Sequence, residues 1–165
     1  MNSSLSKLVA SLREELQQYG EMLARLDEQQ AAVFQRQADQ VLGAASALQS
    51  QSVVLLEARR DREDAQRAVA ANLGLDEDSG FALMLPLMPE PFRPLLSALV
   101  HENNELLARI RQRARQNHVL LAKSVEMMQQ MLDSLFPSGR SPVYGETGAL
   151  FARPVSPQRL YEAVG

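Results

Sequence analysis

Apolar residues return every seventh position from the start of the chain: Leu5, Leu12, Tyr19, Leu26 and Val33, with Leu8, Leu16 and Leu23 in the adjacent row. That period writes an apolar stripe along a helix. After Val33 the row slips by one residue, to Phe34, Val41, Leu48 and Leu55. A single helix over residues 4–72 would be roughly 100 Å long, and the slip interrupts its seam, so the pattern predicts a break near 36–39 with Asp39 capping a second helix. An antiparallel hairpin is expected, about 5–36 and 39–73, stopped by Gly74. Proline placement agrees. Four prolines fall between Pro86 and Pro94, four between Pro137 and Pro157, and none elsewhere, so the proline-free stretches are the helical ones.

Residues 75–91 read as a connector, with the polar turn Asp76-Glu77-Asp78-Ser79-Gly80 before the apolar Phe81–Met88, which predicts one short helical turn capping the bundle end. A third helix is expected from near Pro91 to Phe136. It carries one row of Val100, Leu107, Ala114, Leu121, Met128 and Leu135, and a second of Leu96, Asn103, Ile110, Asn117, Ser124 and Met131. The second row is polar at three places, so its seam is only partly dry. The expected fold class is all-α: an elongated antiparallel bundle of three long helices with a short helical connector, over residues 1–136, and a flexible Pro/Gly-rich C-terminal tail over 137–165.

Composition narrows function. The chain of 165 residues is 45% hydrophobic but 5% aromatic, with no Trp and no Cys, which favours helices over sheet and excludes disulfide and thiolate chemistry. The net charge of −3 and pI of about 5.4 give no global attraction to nucleic acid or anionic lipid. Arg109, Arg111, Arg113 and Arg115 spread around the third helix, and no stacking aromatics accompany them, so nucleic-acid binding is not expected. No run approaches the roughly 18 apolar residues of a membrane span. With a polar N-terminus, the expectation is a cytoplasmic protein that does not insert in a membrane.

Chemistry finds little to use. His101 and Glu105, at i and i+4, are two ligands without a third, and His118 follows Asn117 at the edge of an apolar face. Asp76, Glu77 and Asp78 sit in a turn that cannot fix the separation acid/base work requires. There is no phosphate-cradling glycine loop and no nucleophile elbow. No enzyme, metal or cofactor is expected. Arg59 with Glu63, Arg60 with Asp64 and Glu63 with Arg67 predict intrahelical ion pairs on a solvated face. Binding is a better prospect: Val125, Met127, Met128, Met131, Leu132, Leu135 and Phe136 span more than the roughly 100° arc a bundle core uses. Some of them are therefore expected to face a partner, and methionines adapt to differently shaped ones.

At these residues a family resemblance appears. Asn117-His118-Val119-Leu120-Leu121, Ser124-Val125-Glu126, the aliphatic end Leu132–Phe136 and Tyr144-Gly145-x-x-Gly148 together resemble the FlgN-like flagellar export chaperones. Upstream, Leu55-Leu56-Glu57-x-Arg59-Arg60 and Leu73-Gly74 are similar to the same family, so the likeness spans residues 5–148. Ala44-Ala45-Ser46-Ala47 departs from it, since the family commonly carries lysine or glutamate there. The resemblance implies a cytosolic, non-enzymatic chaperone of type III flagellar export. Its clients would be hook-filament junction proteins (FlgK-like, FlgL-like), held by their C-terminal helical segments, kept from premature self-association and presented to the cytosolic domain of the export gate (FlhA-like). It assigns client binding to Asn117, Leu121, Val125, Met128, Leu132 and Leu135. Tyr144 takes gate docking, with Gly145 and Gly148 letting the segment bend; the free protein is expected as a monomer or weak homodimer. Two other readings stand beside it: a homodimeric coiled-coil adaptor, whose third helix is satisfied by its own copy, and a helical enzyme or phosphotransfer module.

Overall fold

Leucine and alanine at helical spacing carry the chain through two long helices before the first proline. In the computed structural model, which describes residues 2–135, 143–144 and 150–151, α1 spans Asn2–Phe34 and α2 spans Ala38–Asn72. The first break falls where the heptad slips. Arg36 takes a left-handed conformation (φ 56°), and the Gln37 N–H reaches back to the Ala32 carbonyl at 3.2 Å, closing α1 with a Schellman-type turn. Asp39 does not cap α2. Gln37 occupies the cap position without a side-chain bond, and Asp39 lies inside the first turn, where its charge complements the helix dipole. Gly74 (φ 72°) ends α2 as expected, with the Leu75 N–H bonded to the Ala70 carbonyl at 3.0 Å.

In α1 the predicted row Leu5, Leu12, Tyr19 and Leu26 is buried. Its buried companion is Leu8, Glu15, Met22 and Gln29, so Leu16 and Leu23 are only half-buried at its edge. Phe34, expected on the continuing seam, is 67% exposed because α1 terminates there. Along α2 the inward positions are small: Ala58, Ala65 and Ala70 are buried beside Val69. Alanines let α1 and α2 approach more closely than any other pair of long helices here. The two run antiparallel: the Asn72 amide donates to the Ser4 hydroxyl at 3.1 Å and the Gln51 amide to the Gln18 side-chain oxygen at 2.8 Å.

The connector forms α3 (Phe81–Met84) and one 3₁₀ turn over Leu85–Leu87, the predicted cap. Met84 and Met88 enter a core with Leu5, Leu8, Leu12, Val69, Leu96 and Leu99. Arg93 donates to the Pro86 and Met88 carbonyls, both at 3.1 Å, and fixes the entry to α4 (Arg93–Leu135). The buried Asn103 and Asn117 donate to the carbonyls of Leu12 (3.1 Å) and Leu26 (2.7 Å). Both pairs are fourteen residues apart, so α4 runs parallel to α1 and antiparallel to α2.

The chain divides into two units, residues 1–122 and 123–165. In the second, β1 (Val143–Tyr144) pairs antiparallel with β2 (Leu150–Phe151), placing Val143 opposite Phe151 and Tyr144 opposite Leu150. The expectation of a flexible tail falls on residues 137–165, the rest of which lies outside the described residues. By length and composition α2 is the one described helix long and apolar enough to cross a membrane. A single such helix is weak grounds for a span, and this one packs along α1.

Candidate functional site

Along α4, the residues turned inward in the first unit are Leu96, Leu99, Asn103 and Asn117, with Ile110, Arg113, Leu120 and Leu121 half-buried between and beyond them. Asn117, only 2% exposed, also meets the Gln29 side-chain oxygen at 3.1 Å. Arg113 pairs with Asp27 at 3.0 Å and donates to Gln30. This seam with α1 is polar at intervals. The Asn103 and Asn117 Oδ1 atoms are buried without hydrogen-bond partners, a cost of about 1–3 kcal/mol each.

In the second unit the same helix presents its apolar residues to solvent. Val125, Met128, Leu132 and Leu135 follow at spacings of three and four, which places them on one stripe of the helix surface. All are more than half exposed, as are Met127 and Met131 alongside them. Polar Gln129, Gln130 and Asp133 occupy positions between. Each Leu or Met of such a stripe stands to gain on the order of 1 kcal/mol when the exposed half is covered. Of the residues assigned from the resemblance, Val125, Met128, Leu132 and Leu135 share this surface. Asn117 and Leu121 belong to the first unit, Asn117 being engaged with α1. Phe136, Gly145 and Gly148 lie outside the described residues, and Tyr144 is the last residue of β1.

Catalytic candidates do not assemble. His101, Glu105 and His118 are exposed, as are Asp76, Glu77 and Asp78, and no group of three metal-ligating side chains occurs among the described residues. Of the expected arginine pairs, Arg59–Glu63 forms at 3.0 Å, whereas Asp64 is held by Arg67, three residues on, at 2.6 Å. The Arg59 hydrogen bond holds the Glu63 carboxyl below its ordinary range. A buried network escaped the reading of the sequence: Arg62 crosses from α2 to Glu15 at 3.0 Å, and the Tyr19 hydroxyl donates to the same carboxylate at 3.0 Å. Burial, and next the Glu15 charge, push the Tyr19 phenol up to about 12. Glu15 occupies the Leu8–Met22–Gln29 heptad row, but a carboxylate there reads as solvated until its partner Arg62 on α2 is known.

An apolar helical stripe without chemistry around it suits a protein that holds another. No curated protein and no solved structure matches this chain. A family-wide sequence model, described as FlgN protein, matches residues 1–150 and so covers the bundle, the exposed stripe and Tyr144. The chain belongs to the FlgN family of flagellar export chaperones.

Proposed function

We propose that this chaperone binds the C-terminal helical segment of hook-filament junction proteins along α4 and delivers them to the flagellar export gate. The observation that carries the reading is the solvent-exposed stripe Val125, Met128, Leu132 and Leu135. An amphipathic client helix laid along it covers apolar surface on both sides, as in other helix-in-groove complexes. While covered, the client's own assembly surface is unavailable for self-association. Met127 and Met131 at the margin adapt to more than one client sequence. The family is one of chaperones and not of enzymes, in keeping with this reading. Tyr144 is the docking residue for the cytosolic domain of the gate, and Gly145 and Gly148 give its segment the freedom to fit a pocket.

Two substitutions separate holding from delivery. Met128→Asp places a charge in the covered interface and is expected to weaken binding of a junction-protein C-terminal peptide at least tenfold by calorimetry, with helical circular dichroism unchanged. Unchanged affinity would exclude the stripe as the client site, and loss of helix would make Met128 a core residue. Tyr144→Ala is expected to keep client affinity and abolish motility. Normal swimming by that variant removes the docking role. Self-association through α4 in place of client binding would favour the homodimeric adaptor.

A further inference from the structure

The arginines of α4 are the charge cluster that the client reading leaves unused. From Leu106 to Ala122 the chain carries Arg109, Arg111, Arg113 and Arg115 and no carboxylate, whereas the rest of it holds 13 basic residues against 20 acidic ones. This stretch is therefore basic on an acidic protein. Residues four apart share a side of a helix, so the arginines form two pairs about 160° apart. The first pair serves the fold: Arg113 bonds Asp27 and Gln30 of α1, and Arg109 lines the cleft there beside Leu23 and Asp27. Glu102 and Glu105, the preceding carboxylates of α4, stand seven and four residues before Arg109 and so lie on its side. The second pair is free. Arg111 and Arg115 are exposed, and neither guanidinium takes part in a hydrogen bond or ion pair among the described residues. Like charges four apart repel along a helix, and no described carboxylate offsets this pair.

Asn104, Ala108, Arg111, Arg115, His118 and Ala122 follow at steps of four and three, all exposed, in one row about 27 Å long. We propose that this row docks an acidic helical segment of a partner protein, whose carboxylates, three or four residues apart, pair with Arg111 and Arg115. Two planar guanidinium forks one helical turn apart match two carboxylates at the same spacing. Ala108 and Ala122, short side chains on either side of the pair, leave room for the partner helix to lie close. The row has no Phe, Tyr or Trp on which bases would stack, and no long apolar side chain to enter a lipid layer, so a protein fits it better than nucleic acid or membrane. Pairs at an exposed surface are weak and screened by salt, so the contact is reversible. None of these residues belongs to the client stripe, and the surface stands independently of the client reading.

The test is fluorescence anisotropy of the full-length protein with a labelled helical peptide carrying glutamate at every fourth position, beside the same peptide with glutamine in those places. The glutamate peptide is expected to bind, to weaken as salt rises from about 50 to 300 mM, and to lose about tenfold in affinity for the Arg111→Glu, Arg115→Glu double variant. The glutamine peptide is expected not to bind. A lysine version of the peptide should bind that double variant in its place, an exchange that a merely structural effect does not produce. A Lys7→Glu, Arg13→Glu variant makes the same change of charge at exposed positions of α1 and is expected to leave affinity within about twofold. Equal loss in the two double variants would reduce the binding to net charge and overturns the proposal, as does absence of glutamate-peptide binding up to about 1 mM. Tighter binding of a single-stranded oligonucleotide or of phosphatidylserine vesicles, lost in the α4 variant, overturns it by giving the row to another anion. So does loss of junction-peptide affinity in the α4 variant, which would assign the arginines to the client.

Discussion

A carboxylate at position 15 is 2% exposed between two helices, and it is tolerated because two groups meet it. Arg62 supplies the countercharge, Tyr19 a hydroxyl hydrogen bond, and Gln66 extends the network by accepting from Arg62 at 2.9 Å and donating to the Ser79 carbonyl at 2.9 Å. The network thereby ties α1, α2 and the connector together. Tyr19 gives it a pH signature. Its phenol titrates near 12 in the folded protein against about 10 in the unfolded chain, so its contribution is complete below pH 10 and disappears as the pH rises toward 12. Tyr19→Phe is expected to cost about 1 kcal/mol at pH 8, the value of a hydrogen bond to a charged group partly offset by relief of burial. Urea midpoints at pH 8 and 11.5 should show that deficit vanishing and then reversing, since the raised phenol costs the folded state more than about 1 kcal/mol by the higher pH. A deficit equal at both pH values would mean that the hydroxyl does not keep its proton at Glu15.

Both long hairpin helices end in the same backbone motif, but α2 places Gly74 at its left-handed position and α1 places Arg36 there. A side chain is strained in that conformation, so Arg36→Gly is expected to stabilise the protein by about 0.5–1 kcal/mol in urea unfolding. This difference also explains what could be read in advance. Gly74 announced its helix end, whereas Arg36 announced nothing and the break emerged only from the heptad slip between Val33 and Phe34. The inner rows of α1 were legible where they were apolar. Glu15 and Gln29 were not, because their burial depends on Arg62 and Asn117, partners 47 and 88 residues away. The α2 seam was faint for a different reason: alanine packs well but carries little period.

Burial is unevenly distributed over the molecule. Leu5, Leu8, Met84, Met88 and Leu96 fill one end of the first unit, whereas the stripe from Val125 to Leu135 is exposed in the second. Leu96→Ala is therefore expected to cost 2–5 kcal/mol, roughly, and Leu132→Ala no more than about 0.5, as measured by chemical unfolding. Comparable losses would show that Leu132 is covered within the free chain. The stripe was legible in the sequence because its apolar residues exceed one core arc; the engagement of Asn117 with α1 was not, since an asparagine in an apolar row does not reveal which side it serves. No residue from Val33 to Glu57 is fully buried, while the opposite end is locked by the connector. Backbone amides around the Arg36 turn should then exchange with solvent through openings far smaller than global unfolding, and the hairpin frays from its tip like a clip hinged at the connector.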